Sequence, residues 1–383
     1  MIGSGGPGNG GHGQRAVGLI GWTAGWWLLW SLPPPAAAPP GPTGGRPPAP
    51  SMSVVIPVRD EERALPVLLA SLARQRRAPE EVVVVDDHSV DRSAEVARAR
   101  GATVVASRDL PEGWTGKTWA CHQGAEVAGG DLLVFLDADV RLAPDALERL
   151  EAEHLAHGGL VSVQPFHLPE RIYERMSAVA NVVVLMATGA FTAPPRRPAA
   201  MAFGPCLVIG RDDYGRAGHC HPEVRPLVAE DIGMARQCRR IGRPVRARAG
   251  RDVVSFRMYP EGVAQLVEGW TKGLAYGARH TPAPLAALVA LWVSGACLAT
   301  GTGARVVGAV ARGRPLPLRA IVCYGAWAAQ MGWMMRRVGR FGAATAIAFP
   351  APLVVFVALS ARSAFRRALR RPPRWRGRQA PVA

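Results

Sequence analysis

From Ser53 onward the chain alternates short β-branched apolar runs with longer stretches whose apolar residues recur at helical spacing. The runs are SVVIPV (53–58), EVVVVDD (81–87), TVVAS (103–107) and LLVFLD (132–137). Glu61–Arg74, Asp91–Arg100, Thr118–Ala128 and Pro144–His154 follow them in turn and read as helices. Strands that are apolar throughout, rather than at every second position, are buried on both faces. The pattern therefore predicts an α/β fold with a mostly parallel sheet covered by helices. Further on, a glycine-bounded apolar run, Met201–Asp213, precedes a helical stretch that Glu230 and Asp231 open. No internal repeat is visible.

The two ends of the chain depart from this alternation. Val17–Leu32 is apolar, uncharged and rich in Trp, with Arg15 just before it. It falls slightly short of the roughly 20 residues of a full span, which leaves a tilted membrane anchor or an uncleaved signal-like segment. No clear small-residue cleavage site precedes the folded region, which favours the anchor. Pro33–Pro50 is dense in Pro, Gly and Ala and predicts a semi-extended linker. Beyond about residue 282 apolar runs return at Leu285–Thr300, Ala320–Met335 and Phe341–Ala361, accompanied by Trp292, Trp327 and Trp333 and separated by arginine-bearing loops. These read as membrane helices, and the amphipathic segment before them, Gly262–Gly277, suits the membrane interface.

The division that results is an N-terminal membrane anchor (1–32), a Pro/Gly-rich linker (33–52), an α/β domain (53–281), C-terminal membrane helices (282–361) and a basic tail (362–383). It predicts a multi-pass protein of the cell membrane with its α/β domain in the cytoplasm. The positive-inside rule adds a conflict: Arg336, Arg337, Arg340 and the tail Arg362–Arg378 should all be cytoplasmic. Three single crossings after a cytoplasmic domain do not allow that, so one run is re-entrant, interfacial or not a span.

Composition changes this picture in two respects. The 383 residues carry a net charge of +17, concentrated in Arg. The basic clusters flank apolar segments and lack interleaved aromatics, which argues against nucleic acid and for anionic lipid head groups. The six cysteines have no C-x-x-C spacing, which argues against a zinc ribbon or redox dithiol and suits a reducing compartment. His219, Cys220 and His221 read as a polar loop, because neighbours in sequence seldom chelate one ion together.

Candidate chemistry gathers at the ends of the apolar runs. Asp137 and Asp139 close the stretch Asp131–Val140. In extended backbone alternate side chains share a face, so both carboxylates can converge at the strand's carboxyl end, where open α/β sheets bind ligands. A hard divalent cation carrying a phosphorylated substrate suits that place. The first run leads into Pro57, Arg59 and Glu61 in place of a glycine-rich phosphate loop, which argues against a conventional dinucleotide site. The second ends in Asp86 and Asp87, whose carboxylates can accept bonds from a base N–H or ribose hydroxyls. Of Ser89 and Asp91, which follow, one is expected to cap the next helix. Lys117, in GWTGK (113–117), sets a cation at a helix N-terminus beside free N–H groups, a place for phosphate oxygens. Glu230 and Asp231 stand in a first helical turn, where the dipole alone already favours acids.

Taken in order, IPVRDEE (56–62), VVDDHSVDRS (84–93), GWTGK, LDADV (136–140) and AEDIG (229–233) resemble the motif set of family 2 glycosyltransferases of the GT-A type, a Rossmann-like fold. The resemblance covers roughly Ser53–Tyr276. With the terminal apolar segments, GWTGKTWA is similar to the membrane-associated branch that includes carotenoid (diaponeurosporenoate) and hopanoid-associated glycosyltransferases. The resemblance implies inverting transfer of one sugar from a nucleotide-diphosphate donor, commonly a UDP-sugar, to a hydrophobic or lipid acceptor at the membrane, with Mn2+ or Mg2+ as cofactor. By that matching Pro57, Arg59 and Glu61 contact the nucleotide, Asp87 beside Asp86 reads the base, and Lys117 meets the diphosphate. Asp139 holds the metal while Asp137 leans toward the ribose. Asp231 matches the general base, and Glu230 would orient or tune it.

Processive synthases of this family carry Q-x-x-R-W before their later membrane helices, whereas this chain reads Glu268-Gly269-Trp270-Thr271-Lys272. The departure favours transfer of a single sugar, and Trp270 reads equally as an interfacial anchor. Two other classes remain at this level. A metal-dependent nucleotidyltransferase shares the sheet and acidic site but usually has a glycine-rich basic loop after the first strand, which VRDEE lacks. A non-catalytic membrane scaffold would not need acids at 87, 137, 139 and 231.

Overall fold

The β-branched runs form the strands they predict. The computed structural model describes residues 9–37, 49–194, 199 and 201–369, with the backbone of 374–375 and 378–379. In chain order the elements are α1 (Asn9–Leu28), β1 (Met52–Val58), α2 (Leu65–Leu72), β2 (Glu81–Asp86), α3 (Ser93–Ala99), β3 (Thr103–Ala106), α4 (Gly116–Val127) and β4 (Leu132–Leu136). They continue through β5 (Val140–Leu142), α5 (Ala146–His157), β6 (Leu160–Gln164), β7 (Phe166–His167), α6 (Ala178–Thr188), β8 (Cys206–Gly210), α7 (Arg211–Ala217), α8 (Glu230–Arg240), β9 (Val245–Ala249) and β10 (Val254–Phe256). The last are α9 (Val263–His280), α10 (Ala283–Ala311), α11 (Leu318–Val338), α12 (Ala343–Ile347) and α13 (Pro350–Ala368).

These elements divide into two units. An α/β unit comprises Leu32–Glu170, Pro198–Glu261 and Phe365–Ala383, and a helical unit comprises Met1–Ser31, Arg171–Arg197 and Gly262–Ala364. The α/β unit holds a seven-stranded sheet in the order β3-β2-β1-β4-β8-β6-β9. β1 pairs in parallel with both β2 and β4, and β6 with β9, while β8 runs antiparallel to β4 and β6. The glycine-bounded run is thus the reversed strand of a mostly parallel sheet. Fully buried Val54, Ile56, Val84, Val134 and Val208 line its core beside Leu65, Leu68 and Leu147. A second sheet, β5-β10-β7, is built from strands too short to leave a periodic signal.

Two expectations shift here. α2 begins at Leu65 rather than Glu61, because residues 59–64 form a loop whose Glu61 and Glu62 amides donate to Ser93 Oγ (2.8 Å) and Asp91 Oδ2 (3.0 Å). The linker's leading end is tied down: Pro33 O accepts from the Ala249 amide (2.9 Å), and Pro35 O accepts from Arg149 Nη2 (2.6 Å). The middle of the linker and most of the basic tail lie outside the described residues.

In the helical unit, α1 and α10 pack antiparallel and close. A Cβ on Gly21 would lie 2.5 Å from Leu291 O, and one on Gly295 3.4 Å from Gly18 O. α11 runs alongside α1 in the same direction, since Trp22 Nε1 donates to Ala326 O (3.2 Å) and Arg337 Nη1 to Trp30 O (2.8 Å). Buried Gln330 joins the three helices, accepting from Trp292 Nε1 (3.0 Å) and donating to Trp22 O (2.7 Å). Trp270 is buried, not set at an interface, and donates to Ser177 Oγ (2.9 Å).

Of the apolar segments expected to be membrane helices, Ala283–Ala311 is long and apolar enough to cross a membrane among the described residues. Arg15 and Arg336–Arg337 lie within the helices that carry the first and third runs. The last run is broken into α12 and α13 at Ala348–Pro350, because Pro350 has no N–H to continue a helix.

Candidate active site

The carboxyl ends of β1, β2 and β4 bring the sequence motifs together. Register pairs Pro57 with Val85 and Val58 with Asp86, so the loops after β1 and β2 leave side by side. Arg59 Nη1 lies 3.4 Å from Asp87 Oδ2 and 3.3 Å from Asp87 O, and Asp87 is buried. The Arg59 Nε is buried and has no hydrogen-bond partner among the described residues, a donor aimed at no protein acceptor. Asp86 Oδ1 accepts from the Ser89 amide (3.2 Å). Ser89 accepts from the Asp60 amide (3.0 Å), and Asp91 accepts from the amides of Ser93 and Glu62. The N-cap of α3 is Arg92 and has no side-chain cap, so neither Ser89 nor Asp91 is the expected cap; Asp91 instead accepts from the first amide of α3 and, with Ser89, staples the two loops.

Asp137–Asp139 departs from the extended geometry expected of it. β4 ends at Leu136, and the next three residues form a turn closed by the Val140 amide donating to Asp137 O (3.2 Å). The two carboxyls therefore do different things instead of sharing a strand face. Asp137 Oδ1 pairs with Lys117 Nζ at 2.7 Å, and the same nitrogen lies 2.7 Å from Glu230 Oε1. Lys117 thus ties the end of β4 to the start of α8. Its place is set by a capping box at the start of α4, in which the Thr115 amide donates to Thr118 Oγ1 (3.1 Å) and the Thr118 amide to Thr115 Oγ1 (3.3 Å). Asp231 Oδ1 accepts from the Ile232 amide (2.9 Å), whereas the buried Glu230 is spent on the lysine.

Residues 53–186 match the glycosyl transferase family 2 model. The 4,4'-diaponeurosporenoate glycosyltransferase of Staphylococcus haemolyticus (strain JCSC1435) is 38% identical over 259 residues, 66% of this chain and 68% of the relative. That of Staphylococcus aureus (strain USA300) is 33% identical over 337 residues, 86% of this chain and 88% of the relative. The chain belongs to glycosyltransferase family 2. In fold it is similar to the mannosyltransferase PcManGT from Pyrobaculum calidifontis, solved in complex with GDP-Man and Mn2+ (TM-score 0.52, 17% identity, 94% of this chain and 97% of that one). Membership makes the chain a glycosyltransferase and sets aside the nucleotidyltransferase and scaffold readings.

The electrostatics of this glycosyltransferase site follow from crowded acids. Burial, then the charges of Asp137 and Glu61, push Asp139 up to about 7. Burial, then the adjacent Glu230, push Asp231 up to about 7. Burial disfavours the Lys117 cation, but Asp137 and Glu230 outweigh it and hold its proton affinity above the ordinary value. No group of three or more His, Cys, Asp or Glu side chains among the described residues forms a ready cation cage. The donor chemistry of Asp139, Asp137 and Glu61 nonetheless fits a hard divalent ion. These are carboxylate oxygens at mutual electrostatic cost, which a cation relieves, and Mg2+ or Mn2+ sites commonly take one or two carboxylates with the rest from substrate and water.

Three contributors carried no sequence signal. Gly204, just before β8, brings bare backbone against the acids. A Cβ there would lie 3.2 Å from Glu230 Oε1, 3.4 Å from Lys117 Nζ and 3.5 Å from Asp231 Oδ2. The neighbouring Pro205 O accepts from the Asp137 amide (3.0 Å). Tyr259, beyond β10, adopts φ 59°, and the Asp139 charge adds to burial in raising its phenol pKa. His219 is no polar-loop residue: it is buried, its Nδ1 is 3.2 Å from the Tyr214 hydroxyl, and it packs on Phe135. Burial lowers its pKa to about 3, which keeps it neutral.

Proposed function

We propose that this glycosyltransferase moves one sugar from a nucleotide-diphosphate donor, a UDP-sugar, to a hydrophobic acceptor in the membrane, with inversion at the anomeric carbon. The observation that carries the reading is Lys117, whose ammonium lies 2.7 Å from both Asp137 and Glu230. It joins the donor-side acids to the acceptor-side pair. Asp87 and Arg59 accept and donate to the nucleoside, with Asp86, Pro57 and Glu61 shaping the same edge. Lys117 swings its charge onto the departing diphosphate. Asp139 and Asp137 would hold Mn2+ or Mg2+, which when bound neutralises diphosphate charge. Asp231 takes the proton of an acceptor hydroxyl as the oxygen attacks from the face opposite the diphosphate. Glu230 orients it.

A second acceptor chemistry is favoured by the names of the Staphylococcus relatives, which denote a carotenoid carboxylic acid. A carboxylate attacks without losing a proton. Asp231, pushed up to about 7, would then serve by staying neutral and sparing the incoming anion a charge repulsion. The two chemistries have opposite pH signatures. Hydroxyl transfer rises as pH climbs through about 7, while carboxylate transfer falls. UDP- and GDP-sugars offered with a polyene alcohol and a polyene carboxylic acid, products read by mass at pH 6 to 8, test the proposal. No sugar adduct on either acceptor from any donor would refute it.

We further propose a multi-pass membrane location with the α/β unit cytoplasmic. No charged residue occurs from Ala320 to Met335 or from Thr281 to Ala304, and arginines bracket both stretches. At 1.5 Å per residue they extend about 24 and about 36 Å, enough to reach across a hydrocarbon core of about 30 Å with modest tilt or thinning. The outward residues Ala286, Ala290, Val307, Val322 and Ala329 are apolar.

A further inference from the structure

We infer that α12 and α13 form a re-entrant hairpin, inserted among lipid acyl chains from the cytoplasmic side and returning to that side. The inference rests on the multi-pass reading above. It begins with depth along α11. Arg337 and Arg340 stand at its carboxyl end, level with Trp30 at the end of α1. From there Phe341 and Gly342, the latter at φ 85°, turn the chain back along α11. A Cβ on Gly332 would lie 3.3 Å from Ala346 Cβ. Ile347 O then accepts from the Tyr324 hydroxyl (2.5 Å), and the Phe349 ring stacks on Tyr324 with centroids 5.2 Å apart. Between Gly342 and Ala346 the chain has therefore descended from the arginine level to that of Gly332, about 12 Å along α11 at 1.5 Å per residue, and beyond it meets the Tyr324 side chain.

The direction of α13 follows from what covers it. If it continued away from Arg340, α11 would accompany it only from Tyr324 back to Leu318, about 9 Å. α10 would accompany it little further, since Gly303 is level with Tyr324 and α10 ends at Ala311, about 12 Å on. Yet Leu353, Phe356, Leu359 and Ser363 are all buried, the last about 20 Å along α13. Among the described helices of this unit, partners over that length lie back along the bundle, so α13 climbs back toward the arginine level. Pro350, lacking an N–H, makes the break at the tip, with the Ala351 amide donating to Ala348 O (3.0 Å).

The chemistry of the hairpin suits lipid. No charged residue occurs from Phe341 to Ala361, and Ile347, Val354 and Val357 are 63%, 63% and 41% exposed. The first charge met on the return is Arg362. Arg336, Arg337, Arg340 and Arg362 then lie on one side, which the positive-inside rule requires and three single crossings forbid. Three crossings, by α1, α10 and α11, and one re-entrant hairpin place these four arginines on the cytoplasmic side and leave Arg305, Arg312, Arg314 and Arg319, around the α10–α11 loop, on the other.

Single-cysteine labelling of the full chain in its host membrane tests this. In a background with Cys220, Cys297 and Cys323 changed to Ser, the variants R314C, R340C, I347C, A348C and A368C are treated with a membrane-impermeant maleimide. The reagent is applied to intact cells, permeabilised cells and detergent extracts. Expected are labelling of R314C in intact cells, of R340C and A368C only after permeabilisation, and of I347C and A348C only in detergent. Labelling of A368C in intact cells would mean that α13 crosses, overturning the hairpin while the multi-pass reading stands. R314C reacting only together with R340C would instead remove the multi-pass reading itself. Aqueous labelling of both I347C and A348C in permeabilised cells would place the tip in water and overturn the insertion.

Discussion

Asp231→Asn should make the protein more stable and less active, and the sizes of both effects follow from the site. The carboxyl is moved from 3.8 to about 7 by burial and by Glu230. That is roughly 3 units, or ~4 kcal/mol as a ceiling at 1.36 kcal/mol per unit. Part of the side chain meets solvent, which lowers the expected gain to about 2 kcal/mol. The sign follows from linkage: a carboxyl raised in the folded state binds its proton more tightly there than when unfolded, so stability falls as pH rises from about 4 to about 7. Asparagine does not titrate, and its Oδ1 can still accept from the Ile232 amide. The gap between variant and parent should be negligible near pH 4, open through that window and be complete above pH 7. There the thermal unfolding midpoint in detergent should lie about 4 °C higher for the variant. Transfer to a hydroxyl acceptor should fall by about 10²–10⁴, the usual share of a general base. An Asp231→Asn protein that melts at or below the parent temperature at pH 8, or keeps full hydroxyl transfer, would refute the assignment.

Other perturbations separate the remaining roles. Asp139→Asn should weaken Mn2+-dependent nucleotide-diphosphate binding, read by calorimetry, by more than the 10- to 100-fold typical of outer-shell changes. Lys117→Met should cost about 3 kcal/mol in denaturant unfolding, because Glu230 is left buried and unpaired. Adding Glu230→Gln should restore much of that stability and none of the transfer rate. Gly204→Ala should lower kcat/KM about tenfold with little change in unfolding midpoint, since a Cβ 3.2 to 3.5 Å from three reacting side chains shifts them by tenths of an ångström.

How much of this was legible in the residues depends on the range of the cause. The apolar runs at β1, β2 and β4 announced buried parallel strands, because burial on both faces leaves its mark on every residue of the run. The acids at 87, 137, 139 and 231 and Lys117 were legible as motifs in a fixed order. What those motifs do to one another was not. The expectation that Asp137 and Asp139 share a strand face failed because β4 ends one residue earlier and the pair sits in a turn. Likewise, a lysine at a helix start reads as a phosphate ligand, and nothing local says that Glu230, over a hundred residues later in the chain, supplies its second carboxylate.

The sequence by itself thus set the α/β unit, the inventory of acids and the apolar, arginine-bracketed character of the ends, since each depends on residues near one another in the chain. Tertiary structure alone decided three things. It made Lys117 a bridge between two motifs, it raised Asp139 and Asp231 to about 7 by packing like charges together out of water, and it folded the last apolar run into two helices. All three depend on contacts between segments distant in sequence, where burial and Coulomb energy act through space rather than along the chain.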